Sequence, residues 1–202
     1  MLPQVNRYYT PEEYLALEEK ASTKSEYFRG RIYQMSGASL NHNRITVNLT
    51  GLLYRALGGK SCEVFSGDMR LLVKANGLYT YPDIMVICGP IDLIAGQVDT
   101  VANPLLIIEV LSNSTADYDR TDKFELYKAL NTLQNYVLID QHRPYIQSFN
   151  RLENEPRLWS LETFNGLDKQ LRLPALDLEL NLGDIYNRAE WSETEIAHPN
   201  QM

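Results

Sequence analysis

Apolar residues recur along this chain in two rhythms. Ile45, Leu49, Leu52, Leu53, Ala56 and Leu57 follow helical spacing, and Gly58-Gly59 ends the run, which predicts an amphipathic helix from about Leu40 to Leu57. Thr10-Pro11-Glu12-Glu13 predicts an earlier helix start: Thr10 caps, Pro11 fits the first turn and Glu13 closes a capping box. That helix is expected to reach about Lys20, with Tyr14, Leu15 and Leu17 turned to the core. Ser25 to Phe28 and Arg31 to Met35 flank Arg29-Gly30, a hairpin turn with Gly30 at positive φ. Short apolar runs predict further strands from about Ser61 to Ser66, Met69 to Lys74, Leu78 to Ile87, Leu105 to Leu111 and Tyr136 to Ile139. A polar loop from Ser112 to Tyr118 and a helix from about Arg120 to Leu130 precede the last of these.

Strand, helix, strand over Leu105 to Ile139 reads as a parallel crossover. Meander-like segments follow, from Tyr145 to Asn150, Arg157 to Glu162, and Leu171 to Leu180 with Pro174 inside. The expected architecture is one α/β (α+β) domain over 1–189, a mixed central sheet flanked by helices with a C-terminal β extension. The polar tail 190–202 is expected to be disordered.

One residue breaks the pattern. Glu109 interrupts the run Pro104-Leu105-Leu106-Ile107-Ile108-Glu109-Val110-Leu111, which otherwise reads as a central strand buried on both faces. An ionised carboxylate there costs roughly several kcal/mol unless a metal, a cation or hydrogen-bond donors meet it. Tyr81-Pro82-Asp83-Ile84 repeats the anomaly with Asp83. For either acid alone, pairing with a buried Arg or Lys is the simpler account. Both together favour a shared divalent cation, since a hard ion such as Mg²⁺ prefers oxygen ligands.

The 202 residues suffice for a substantial core, and the chain carries a net charge of −7. That charge argues against a passive nucleic-acid binder, though not against an enzyme whose carboxylates hold a cation. No apolar stretch approaches the ~20 residues that span a bilayer, and no basic-then-apolar signal opens the chain. Cys62 and Cys88 are far apart in sequence and read as small apolar strand residues in a reducing cytoplasm. Two cysteines and scattered histidines do not make a zinc site.

The ordered set Tyr9-Thr10-Pro11-Glu12-Glu13-Tyr14, Tyr81-Pro82-Asp83-Ile84, Ile108-Glu109-Val110-Leu111-Ser112 and Asp119-Arg120-Thr121-Asp122-Lys123 with Tyr127 resembles the PD-(D/E)XK nuclease superfamily. It resembles more closely a bacterial restriction-endonuclease-like family long known as a domain of unknown function. The resemblance spans roughly Tyr9 to Tyr186. It implies Mg²⁺, with Mn²⁺ as substitute, held by Asp83, Glu109 and the Val110 carbonyl, and DNA as substrate.

Leu111 departs from the superfamily pattern, which places a lysine there. The closer family implies that the lysine has moved to the following helix, where Lys123 is the candidate; the bland account pairs it with Asp119. Lys123 is expected to be replaceable without much loss of stability. Glu26 is a further acid matching the family, or else a hairpin-edge charge paired with Lys24 or Arg31. His42 and Asp68 are secondary candidates, with a local helix-packing role and a turn role as their alternatives. Arg44, Arg70, Lys74, Arg120 and Lys128 are available as phosphate contacts or as ordinary surface charges, and no aromatic-plus-basic stripe is visible.

These readings converge on a Mg²⁺-dependent DNA endonuclease, cytoplasmic and expected as a homodimer. The rivals are a catalytically silent binding or structural module on the same fold, and a phosphodiesterase acting on RNA.

Overall fold

The computed structural model describes residues 7–35, 37–112 and 116–191. Helix α1 (Pro11–Glu18) opens with the full capping box between Thr10 and Glu13. Its Tyr14 is fully buried against Tyr27 and Tyr79, whereas Leu17 is half exposed. The expectation that Leu17 faces the core fails because α1 presents only a narrow stripe to a small aromatic cluster. The hairpin β1 (Ser25–Phe28) and β2 (Arg31–Gln34) follows. Its turn needs positive φ at both Arg29 and Gly30. A Cβ on Gly30 would lie 2.7 Å from the Tyr8 ring, so glycine is also required for space.

Helix α2 (Leu40–Ala56) buries Ile45, Leu49 and Leu53 at the predicted spacing. Each such side chain contributes about 1.5–3 kcal/mol by leaving water. Strands β3 (Cys62–Ser66), β4 (Arg70–Val73), β5 (Leu78–Thr80), β6 (Ile84–Cys88), β7 (Thr100–Val101) and β8 (Leu106–Leu111) come next. The segment from Leu78 to Ile87, read as one strand, is two. β5 joins a five-stranded sheet of order β2-β1-β5-β4-β7, and β6 joins a six-stranded sheet. Pro82 lacks an N–H for a continuous ladder, and the chain crosses between sheets at Tyr81-Pro82-Asp83.

The helix expected from about Arg120 is a composite that starts earlier: α3 (Ala116–Tyr118), a π turn (Asp119–Lys123) and α4 (Phe124–Tyr127). Of the loop read before it, 113–115 lie outside the described residues, and Ala116–Tyr118 are helical. Strand β9 (Asn135–Asp140) then pairs parallel with β8, completing the crossover. β10 (Tyr145–Arg151) and β11 (Trp159–Asn165) extend the large sheet to the order β11-β10-β9-β8-β6-β3. The hairpin β12 (Gln170–Leu173) and β13 (Leu178–Asn181) leads into the short α5 (Leu182–Ile185). The result is a mixed α+β fold.

Two apolar layers sandwich the large sheet. α2, α5 and the β12–β13 hairpin cover one face, and α4 with β4 and β5 covers the other. Of the expected polar tail, Glu190 and Trp191 are held by hydrogen bonds to Asn41 and Gln141; 192–202 lie outside the described residues. The reading of the cysteines as separate thiols is corrected. The β3–β6 register sets Cys62 directly opposite Cys88, and the two form a disulfide. Antiparallel pairing closes the 26-residue separation, which spacing alone did not reveal.

Candidate active site

Side chains of β8 alternate between the two layers. Leu106, Ile108 and Val110 join the layer under α2, while Ile107 and Leu111 join the layer under α4. Glu109 falls on the α4 face and is 4% exposed. Its Oε1 lies 2.9 Å from Lys123 Nζ and accepts a 2.9 Å hydrogen bond from the Tyr127 hydroxyl. Leu111, at the position where the superfamily carries lysine, packs into the core. The ammonium arrives instead from the π turn, an irregularity common at functional sites.

Lys123 is shared. It also lies 2.9 Å from Glu26 Oε1 and 3.5 Å from Asp119 Oδ1, and all four side chains are buried. The Thr80 hydroxyl donates to Glu26 Oε1 at 2.5 Å. Burial pushes Glu109 up to about 8, against the pull of Lys123 and with repulsion from Asp119 and Asp83 added. Burial opposes the charge on Lys123, but the fields of Glu109, Tyr127 and Glu26 outweigh it and move the ammonium further up. The expectation that Lys123 is dispensable for stability does not survive this geometry, because its removal takes the shared ammonium from three buried acids.

Asp83 sits just before β6. Continuing the register beyond Ile84↔Ile108 sets Asp83 opposite Glu109 and Pro82 opposite Val110. Pro82 has no N–H to offer, and the Val110 N–H donates to Asp83 Oδ2 at 2.7 Å. A strand residue points its N–H and C=O toward the same neighbour, so the Val110 carbonyl faces this gap as well. The Asp83 N–H makes a long 3.4 Å contact to Glu109 Oε2.

His42 reaches Asp83 Oδ2 from the first turn of α2, with Nε2 at 3.1 Å. Ser39 fixes that turn by accepting the His42 N–H. Among the described residues, His42 Nδ1 is buried without a partner, and the Nε2 edge of the ring faces Asp83. The Asp83 side chain is 21% exposed against 6% for Glu109, so one acid of the pair is wet and the other dry.

These groups line a cavity of about 880 Å³, walled also by Phe28, Arg29, Tyr33, Tyr81 and Tyr118. Glu26, His42, Asp83, Glu109, Val110 and Lys123 are therefore brought together. Asp68 is not: it is exposed and pairs with Lys24 at the Gly67 turn. Arg44, Lys74 and Lys128 pair with Glu190, Asp92 and Glu125. Arg70 is buried beside Asp99, and neither these residues nor Arg120 line the cavity. Sequence reading missed Thr80, which carried no signal, and the role of Tyr127, whose helical spacing from Lys123 did carry one.

Among the described residues, no three His, Cys, Asp or Glu side chains form a metal cage. Asp83, Glu109 and the Val110 carbonyl make a smaller, all-oxygen donor set. Such a set suits Mg²⁺, which keeps several waters and takes only one or two carboxylates. It does not suit a closed zinc site.

A family model described as "Uma2: Putative restriction endonuclease" matches residues 11–183. The chain belongs to the Uma2 family. Two relatives from Synechocystis sp. (strain ATCC 27184 / PCC 6803 / Kazusa) extend the match. "Uncharacterized protein sll1609" is 38% identical, over 85% of this chain and 96% of the relative. "Uncharacterized protein slr1290" is 37% identical, over 88% of this chain and 90% of the relative. The fold matches the crystal structure of "a putative nuclease belonging to DUF820" from Anabaena variabilis ATCC 29413, with a TM-score of 0.69 at 21% identity. That alignment covers 88% of this chain and 97% of the other. The restriction-endonuclease-like fold is thus common to this Uma2 chain and a solved structure. Among the described residues, no helix is long and apolar enough to cross a membrane.

Proposed function

We propose that the protein is an endonuclease that hydrolyses phosphodiester bonds of DNA with Mg²⁺, for which Mn²⁺ substitutes. The observation that carries this reading is the convergence of Asp83 and Glu109 on one cavity wall, where Pro82 ends the ladder and leaves the Val110 carbonyl facing the same gap. Two carboxylates are held there at a cost that a packed core would avoid. The Uma2 family description and the nuclease named for the Anabaena variabilis neighbour support the same reaction class.

Asp83, Glu109 and the Val110 carbonyl would hold Mg²⁺. When bound, the ion would polarise a phosphate oxygen and lower the pKa of a coordinated water. His42 keeps Asp83 oriented, and Tyr127 does the same for Glu109. Glu26 and Asp119 hold the Lys123 ammonium beside Glu109, where it offsets negative charge arriving with a phosphate. A homodimer would carry two such sites. A cytoplasmic setting fits a DNA substrate; the Cys62–Cys88 disulfide stands against it, and thiol titration of protein from lysed cells decides the point.

The test is incubation of plasmid, linear DNA and RNA with the protein in Mg²⁺, Mn²⁺ or chelator, with Asp83→Ala as control. The expected result is DNA cleavage in either metal and none with chelator or the variant. Cleavage that persists in Asp83→Ala would refute the assignment. Inactivity on every substrate would favour a silent binding module, the reading to which Leu111 lends weight.

A further inference from the structure

The cavity mouth has a chemistry of its own. In the β1–β2 hairpin, Tyr33 is the register partner of Glu26, and residues directly opposite share one face of the sheet. Glu26 points inward to Lys123, so Tyr33 stands on the same face at the rim, 48% exposed. Phe28, two residues beyond Glu26, shares that face, and the Arg29 guanidinium lies 4.9 Å from its ring centroid. Tyr118 approaches from the helical segment across the opening. Burial first, and then Glu26, push its phenol up, and Tyr33 is close enough to add to that push.

The electrostatics oppose an intact duplex. The carboxylates Glu26, Asp83, Glu109, Asp119, Asp122 and Glu125 outnumber the cations Arg29 and Lys123 on this lining. Lys123 is already engaged by three acids. A duplex laid across the mouth would bring two phosphate backbones to a surface where, among the described residues, Arg29 is the one lining Lys or Arg outside the Lys123 cluster, whereas duplex binding normally rests on several. A strand that leaves its partner can enter a cavity of about 880 Å³, within the range that encloses a whole small ligand.

We propose that the β1–β2 hairpin is a base-stacking platform, with Tyr33 receiving an unpaired nucleotide, so that this site acts on single-stranded or locally opened DNA. The inference rests on the nuclease reading above for its choice of ligand. Stacking on an aromatic face needs little positive charge, which reconciles a nucleic-acid substrate with an acidic cavity and a net charge of −7. Tyr33 supplies the ring, Arg29 the adjacent phosphate contact, and Phe28 the surface on which Arg29 rests.

The test uses a short single-stranded DNA carrying 2-aminopurine, and its duplex, titrated in Ca²⁺ so that binding is read without turnover. The single strand is expected to bind at least ~10-fold tighter than the duplex, with 2-aminopurine emission quenched on binding. Tyr33→Ala should weaken binding by roughly 10-fold or more and abolish the quench, whereas Tyr33→Phe keeps both. The slope of log affinity against log salt should be shallow, on the order of one phosphate contact. Equal melting temperatures of the variants and the parent exclude a folding defect. Equal or tighter binding of the duplex, or an unchanged affinity in Tyr33→Ala, overturns the proposal. Duplex cleavage in Mg²⁺ by both parent and Tyr33→Ala overturns it while the nuclease reading stands. Quenched single-strand binding without cleavage of any DNA keeps the platform and overturns the nuclease reading.

Discussion

The two acids that face each other across β6 and β8 live in unlike surroundings. Asp83 lies at a break between sheets, partly wetted, and satisfied by the Val110 amide and His42. Glu109 lies inside a continuous strand, dry, and held by Lys123 and Tyr127. The first is oriented by its hydrogen-bond partners while water still reaches it. The second is kept near neutrality by burial, with its proton available for exchange against a cation. A shared site built from one wet and one dry carboxylate avoids the full repulsion of two bare charges, yet keeps both oxygens in reach.

The largest break in this comparison comes from deleting either acid. Asp83→Ala and Glu109→Ala are each expected to lose cleavage by ~10³-fold or more in a Mg²⁺ assay, with Asp83→Ala melting near the parent temperature. Comparable melting losses for both would mean that the two environments are not distinct.

Lys123→Ala attacks the dry half alone. It removes the ammonium from Glu26, Glu109 and Asp119, and the expected destabilisation in urea is about 3–5 kcal/mol, the range for breaking a buried pair. It should also lower the chemical step by ~10²-fold. A variant as stable as the parent would show that Lys123 offsets no buried charge.

The pH dependence sharpens the contrast further. Burial raises Glu109 from an ordinary carboxylate value to about 8. The folded state therefore binds a proton more tightly than the unfolded chain. That contribution to stability is complete below about pH 4.5 and is lost as pH rises through about 8. Urea midpoints measured across that window should fall with pH in the parent and flatten in Glu109→Gln. A midpoint that rises instead would reverse the sign assigned to Glu109.

The smallest effect is expected from Tyr127→Phe, which deletes the hydroxyl that donates to Glu109. A loss of about 1–3 kcal/mol is expected in denaturant unfolding, with the Glu109 proton held still more tightly. No change in either would mean that the Tyr127 hydroxyl contributes nothing to the dry half.

Much of this was legible in the sequence because it rests on local chemistry. The α1 cap, the spacing of Ile45, Leu49 and Leu53, and the misplaced Glu109 all announce themselves within a few residues. What escaped depends on register between distant segments. Cys62 opposite Cys88 follows from a pairing that no spacing encodes. The single strand read from Leu78 to Ile87 failed because hydrophobicity does not reveal where Pro82 sends the chain to another sheet. The π turn was invisible too, since helical periodicity does not register one widened turn.

Calorimetric titration of Mg²⁺ at pH 7, in two buffers of different ionisation enthalpy, tests most directly whether Asp83 and Glu109 form one cation site. The expected result is one ion bound per chain with release of a fraction of a proton from Glu109, both lost in Asp83→Asn and the proton release lost in Glu109→Gln. Absence of binding, or undiminished binding in Asp83→Asn, would contradict the shared site.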